Sequence, residues 1–491
     1  MKFSLLERFR QWRTNPEHIA TIDAAQAAPP PSPFAPVDLT DPAQVLGVMD
    51  IAARIGDILL SSGTSNRDTR TQIHAVTAAY GLVWCHVDIT VNNITLFAHV
   101  GTQSRHPVTV FRVVNSMTTD FSRLARVDRL IRSIQSGETS PAEAERELNK
   151  LEISPPLYRA RTAIWGWGIM GGAVAIMLGG TWLMGIIAFT TAMMIMGVNI
   201  FLSRNGLPYF YQAVFGGIIA TIPAALAYLG AMNLSVEIRP SQIVASCIVV
   251  LLAGLTLVQS LQDGIMGAPV TASAHFFETI LFTGAIVAGV GIGLQMSELM
   301  GITMPPLESV AGPNNATIAM RVLFGSIATM GFAFASYAER PAILLSGVAA
   351  TGGALVYYWT VNSLGIGPVL ASTLAAIMIG ITGGLLSRRF KIPPLITAIS
   401  GITPLLPGLS VYRGMYAALS EQMLLGFTNI ATALAIACGL AAGVVLGEWT
   451  ARRLRRPQRF NPYRTFRSTN RASFSFLRAK SRRNRKPGSG V

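Results

Sequence analysis

Charge is scarce in this sequence: of 491 residues only 13% are Asp, Glu, Lys or Arg, against 51% apolar. That composition cannot coat a soluble enzyme of this size, which leaves an integral membrane protein. Cysteine is scarce too. Cys85, Cys247 and Cys438 stand far apart, too dispersed for a disulfide framework or a thiolate metal site, so neither a metal nor a cofactor is expected. A continuous apolar core near the N-terminus is also missing, which argues against a cleavable signal peptide. Phe3, Leu5, Leu6, Phe9 and Trp12 alternate instead with Lys2, Arg8, Arg10 and Arg13, as in a leader or an interfacial helix.

Acidic residues vanish from one stretch altogether. Residues 1–160 hold 16 basic and 16 acidic side chains, residues 161–450 hold 9 and 8, and residues 451–491 hold 14 and none. The net charge of +15 therefore sits almost wholly in the tail that begins at Arg452 and Arg453. No aromatic platform or nucleic-acid-binding module accompanies it, so no nucleic acid is expected as a partner. The tail reads as a cytosolic segment that fixes topology and meets the anionic headgroups of membrane lipid.

What remains divides the chain into five parts. Residues 1–38 form a leader and a Pro/Ala-rich linker, because stacked prolines favour an extended chain. Residues 39–160 alternate between helical and strand patterns: helices over 45–60, 66–81, 120–135 and 141–151, and strands over 83–91, 94–100 and 108–114. They predict a small cytosolic α+β domain. Residues 161–300 and 301–450 carry ten apolar stretches, near 163–180, 182–202, 210–230, 241–260, 274–296, 316–336, 341–360, 366–387, 392–411 and 424–449. Each matches the ~30 Å hydrocarbon core of a bilayer. Residues 451–491 are the basic tail.

The fold class expected is thus a polytopic α-helical membrane protein with a small N-terminal domain. Arg204, Arg340 and the Arg388, Arg389, Lys391 group fall on the N-terminal side of the bilayer. Glu298 and Glu308 fall on the other, which puts both termini in the cytoplasm. The two halves match weakly at an offset of 150 residues, as at Leu255/Leu405, Ser260/Ser410, Gly289/Gly439 and Gly293/Gly443. Five spans per half is an odd number, so the repeats would be inverted, as in many secondary transporters.

The same offset aligns two interruptions. Gln259 to Gly264 is followed by Gly267-Ala268-Pro269, and Pro404 to Gly408 by Tyr412-Arg413-Gly414. Irregular backbone at membrane depth survives only where protein or a water-filled cavity satisfies it, so paired interruptions point to a substrate site. The chemistry suits a zwitterion. Arg413 and the free amides beside Pro407 and Gly408 would receive a carboxylate, Asp263 or Glu278 an ammonium group, and Tyr412 and Asn429 a hydroxyl. Glu278 and His275, one helical turn apart, are candidates with Asp263 for carrying a proton. Glu448, Glu421 and Arg321 fall nearer predicted helix ends, in headgroup water. Gly289, Gly291 and Gly293 read as helix-packing positions. A competing reading makes the N-terminal domain a tethered hydrolase, with a nucleophile in Ser61-Ser62-Gly63-Thr64-Ser65 and His74, His86 or His99 as base. An uncoupled facilitator is the other alternative.

The stretches IAARIGDILLSSGTSN (51–66), LLAGLTLVQSLQDGIMGAPVTASA (251–274), ITPLLPGLSVYRGMYA (402–417) and AAGVVLGEW (441–449) resemble the threonine/serine exporter family. The resemblance runs from about residue 28 to 464. It implies a transporter rather than an enzyme, with ten membrane helices and a cytosolic N-terminal domain, exporting threonine and serine on the proton motive force. The family pattern maps onto Asp263, Gly264 and Gly267 at the first interruption, and onto Pro404, Pro407, Gly408, Tyr412, Arg413 and Gly414 at the second. His275 stands where relatives carry Arg. Threonine, serine and protons are the partners so implied; self-association into a homo-oligomer stays open.

Overall fold

The computed structural model describes residues 37–38, 41–100, 106–114, 119–234, 238–251, 253–304, 316–419 and 421–454. The leader, nearly all of its linker, the loop with Glu308 and the tail beyond Leu454 lie outside the described residues.

The N-terminal part forms as its patterns predict. Asp41 starts α1 (Pro42–Ser61) by accepting the Ala43 amide at 2.9 Å, with proline at the first helical position where a missing N–H costs nothing. Ser65 starts α2 (Asn66–Ala79). Strands β1 (Cys85–Thr90), β2 (Asn93–Val100) and β3 (His106–Val113) form an antiparallel meander in that order. Helices α3 (Phe121–Gln135) and α4 (Pro141–Ile153) follow, the latter begun by a Ser140–Glu143 capping box. One sheet face packs under α1 and α2, burying Ile55, Ile73, Ile94 and Leu96. Arg54, buried on α1, binds Glu152 at 2.9 Å and Asn149 at 2.6 Å, tying α4 to α1.

Twelve further helices follow: α5 (Ala160–Met177), α6 (Trp182–Arg204), α7 (Tyr209–Leu234), α8 (Pro240–Val250), α9 (Ala253–Ile265), α10 (Pro269–Leu299), α11 (Ile318–Ala335), α12 (Arg340–Leu364), α13 (Pro368–Phe390), α14 (Pro394–Ile402), α15 (Gly408–Leu419) and α16 (Met423–Leu454). Among the described residues, seven helices are long and apolar enough to cross a membrane. The number is nine if two bent pairs each count as one span. The chain is a multi-pass helical membrane protein. The glycine- and tryptophan-rich α5 is the expected span that does not reach that apolarity.

The bent pairs are α8 with α9, at 45°, and α14 with α15, at 43°. In the second, Pro404 and Pro407 explain the bend: a 3-10 turn over Thr403–Leu405 replaces the α-helical ladder that proline cannot continue. The first differs from the sequence expectation. Asp263 and Gly264 stay inside α9, the bend lies earlier at Leu251, and the true gap is the tight turn 266–268. Gly267 there adopts φ +90°, and Pro269 opens α10, where proline is tolerated.

The packing repeats between the halves. Helices α5, α6 and α7 pack in succession, as do α11, α12 and α13; α7 lies along α10 as α13 lies along α16. Half-helix α8 touches α5, α6 and α7, and α14 touches α11, α12 and α13, while α9 packs on α10 and α15 on α16. Small residues close both long pairs. A Cβ at Gly217 would stand 2.8 Å from the Val290 amide nitrogen, and one at Gly443 2.6 Å from the Thr373 carbonyl oxygen, so only glycine lets these backbones meet. Gly291, expected among the packing glycines, faces open space instead.

Residues 41–153 are packed on the helices rather than hung from them. Phe121 packs edge-on against Phe332 of α11 and donates its amide to the Ser336 carbonyl at 3.0 Å. Arg129 binds Glu339 at 2.7 Å. One apolar core therefore runs from the sheet into the membrane helices.

Candidate functional site

Two clusters contain the residues that the sequence singles out, one at each bent pair. The first lies where α9 ends and α10 begins. Asp263 is buried at 8% exposure, and its carbonyl accepts the Ala268 amide at 2.9 Å, which closes the 266–268 turn. His275 of α10, Asp68 of α2 and the backbone N–H of Asn66 all lie near its carboxylate. Asp68 in turn lies 3.7 Å from Arg452, and Arg452 3.5 Å from Glu448. Glu448 is buried at 8% exposure, which corrects the expectation that it sits in headgroup water: Arg452 compensates its charge there. Arg452 is accordingly engaged within the fold, and Arg453 stacks over Trp449 at 4.2 Å.

Beside this cluster is a cavity of about 320 Å³. Its walls are Asn66, Arg67 and Arg70 of α2, Ile89 and Thr90 of β1, and residues 266–271. Two guanidinium groups and the first turn of α10 face one space, an arrangement that favours an anionic group such as a carboxylate.

The second cluster lies on α15. Pro407 and Gly408 are buried at the bend. Tyr412, only 4% exposed, stacks on Tyr416 at 6.0 Å, and its hydroxyl has no hydrogen-bond partner among the described residues. A buried hydroxyl without a partner is costly and calls for an explanation. Arg413, half-buried, acts on Tyr412 from the next position, and Asn429 is half-buried near the start of α16, which packs along α15.

The remaining candidates fall differently. His275 and Glu278 pair at 3.2 Å, but the Glu278 side chain is half exposed on the outer side of α10. Gly264 is exposed, and a Cβ there would make only ordinary contact with Ala272 at 3.5 Å.

The serine-rich loop of the hydrolase reading is structural. Ser62 donates to the Ile58 carbonyl at 2.7 Å and Ser61 to the same oxygen at 3.1 Å, ending α1; Ser65 receives the Asp68 amide at 3.2 Å, starting α2. Gly63, at φ +85°, brings the loop against Gln259 of α9, whose Nε2 would stand 3.2 Å from a Cβ there. His74 is half-buried and held below its ordinary pKa, first by burial and then by Arg70 and His86.

Residues that sequence reasoning missed connect the domain to the first cluster. Asn66 Nδ2 donates to Thr271 Oγ1 at 2.7 Å, and the Val91 amide reaches the same oxygen at 3.2 Å. These residues are far apart in sequence and carry no motif; the one local signal is the break between Ser65 and Asn66, where a helix had to begin.

A family model described as "Putative threonine/serine exporter" matches residues 50–297, and one described as "Threonine/Serine exporter" matches residues 321–449. The chain is 60% identical over 456 residues to the "Threonine/serine exporter" of Corynebacterium glutamicum, covering 93% of each chain. It is 37% identical over 414 residues to the "Probable threonine/serine exporter" of Mycobacterium tuberculosis, covering 83% of this chain and 77% of that one. No solved structure matches it.

Proposed function

Because the chain belongs to the threonine/serine exporter family, we propose that it is a secondary transporter that exports threonine and serine from the cytoplasm on the proton motive force. The observation that carries the reading is the pair of bent helices at equivalent positions of two similarly packed halves, one with Asp263 and the other with Arg413. Half-helix ends at membrane depth offer unpaired backbone groups to a small zwitterion, which is how inverted-repeat transporters hold their substrates.

Ten spans in two inverted five-helix repeats account for the contacts of the N-terminal domain. The ends that such a count assigns to one face, at 266–271, 336–339 and 452, all meet that domain. With the domain and both termini cytoplasmic, Asp263 lies near the cytoplasmic face and Arg413 toward the outer one. Asp263 then receives the substrate ammonium group or a proton, with His275 beside it and Glu278 a turn further on. Further along the path, Arg413 receives the carboxylate amid the backbone at Pro407 and Gly408, as a helix break allows. The unpartnered Tyr412 hydroxyl and Asn429 meet the hydroxyl that threonine and serine share.

Proteoliposomes loaded with labelled threonine test the reading. Efflux should rise when a pH gradient and membrane potential are imposed and fall when serine competes. Flux indifferent to both gradients would instead identify a facilitator.

A further inference from the structure

The docked domain touches the first cluster with the first residue of a helix. Ser65 caps α2 with φ −60° and ψ 150°, and the next residue, Asn66, is 5% exposed although it belongs to the soluble part of the chain. Its side chain donates to Thr271 in the first turn of α10 at 2.7 Å, and its backbone N–H lies near the Asp263 carboxylate in the last turn of α9. Asn66 thus bridges the two helix ends flanking the 266–268 turn.

A second contact reinforces the first. The Val91 amide, in the turn between β1 and β2, also donates to Thr271 Oγ1, at 3.2 Å. Val91 sits at φ +54°, where a β-branched residue is disfavoured. Strain of that kind persists where surrounding contacts over-determine it, and it clusters at functional sites. The hydroxyl of Thr271 therefore accepts two donors from the N-terminal domain, one of them from a strained residue.

We infer that the N-terminal domain completes the transport site, with Asn66 as a positioning residue that, through Thr271 and its own amide, holds Asp263 in place for substrate. The inference rests on the reading that Asp263 serves transport. Asn66 fixes the spacing between the carboxylate and the 266–271 wall of the cavity that it also lines. Transport without the domain would leave Asp263 beside an unsupported turn.

The test measures threonine efflux from proteoliposomes with the full chain and separates half-saturation from maximal rate. Asn66→Ala and the near-isosteric Thr271→Val should each raise the half-saturation concentration roughly ten-fold, equivalent to about 1.4 kcal/mol, with a smaller effect on maximal rate. Thr271→Ser, which keeps the hydroxyl, should restore it. The Asn66→Ala/Thr271→Val double variant should be little worse than Thr271→Val alone, because that substitution already removes the bond Asn66 makes. Asn66→Pro goes further. The first helical position tolerates proline and Ser65 already has the extended conformation proline demands, so this variant keeps the helix while deleting the amide near Asp263. It should raise half-saturation beyond Asn66→Ala. Unchanged half-saturation in Asn66→Ala and Thr271→Val, with transport lost in Asp263→Asn, would overturn the positioning role alone. Full transport in Asp263→Asn would overturn the underlying reading of the site. Equal loss in Thr271→Ser and Thr271→Val would also overturn the inference, since the hydroxyl would then be irrelevant.

Discussion

The two halves of the membrane region share a helix order and a packing plan but differ at the bend. In the first half the bent helix ends under the N-terminal domain, which covers Asp263 with Asn66, Asp68 and a docked sheet turn. In the second half the bend is made by two prolines and leads to Arg413 and an unpartnered Tyr412 hydroxyl on α15, which packs on α8, α9, α10 and α16. The packing plan is thus shared, while the charge at the matching position differs in sign: Asp263 and Arg413 stand 150 residues apart.

The sharpest way to break this comparison is to remove one of the two charges. Asp263→Asn keeps the shape of the side chain and should lower labelled threonine efflux at least a hundred-fold, as expected for a group that binds the ammonium or carries the proton; efflux within a few-fold of wild type would place the working site elsewhere. The next largest effect concerns the shared scaffold. Gly443→Val forces a side chain against the Thr373 carbonyl and should destabilise the detergent-solubilised protein by about 1–3 kcal/mol, the usual cost of overpacking. Gly291→Ala, which meets open space within α10, should keep or slightly raise thermal stability. Equal stability of the two variants would contradict the close packing of α13 on α16.

Smaller effects separate the clusters further. Tyr412→Phe removes a hydroxyl that none of the described residues pairs, so the empty protein should gain slightly in stability while half-saturation for threonine rises about three- to ten-fold. Competition by alanine, which lacks the hydroxyl, should not change. The smallest effect lies in the N-terminal domain. His74 is held below its ordinary pKa in the fold, so its neutral form is favoured there, and the stability this supplies is present above pH 6.5 and lost as pH falls toward its folded value. His74→Gln should flatten the fall in thermal stability between about pH 7 and pH 5.

Much of the fold is legible in the sequence because it rests on local signals. Capping residues Asp41, Ser65 and Ser140, the change from helical to alternating periodicity after Gly81, and the runs of apolar residues fix most helix and strand positions to within a few residues. The second bend is equally legible, since Pro404 and Pro407 cannot sit inside a regular helix. The first is not: no proline marks Leu251, and a helix tolerates Gly264, so the sequence moves the interruption too far along the chain. The cluster around Asp263 is half legible. A carboxylate in an apolar stretch announces itself, but Asn66 and Thr271 are ordinary residues 205 positions apart, and only the docking of the domain brings them together. Glu448 escaped for the same reason, because its burial depends on Arg452 one turn further along α16 and on Asp68 across the domain boundary.

The coupling of threonine to protons is tested most directly in reverse. Vesicles containing the protein and a pH-sensitive dye, loaded with threonine and diluted into threonine-free buffer at equal pH, should acidify inside as threonine leaves and protons enter, because coupling between two ligands is reciprocal. The account predicts that acidification in wild type and its loss in Asp263→Asn. Threonine efflux at the wild-type rate with no change in internal pH would contradict it.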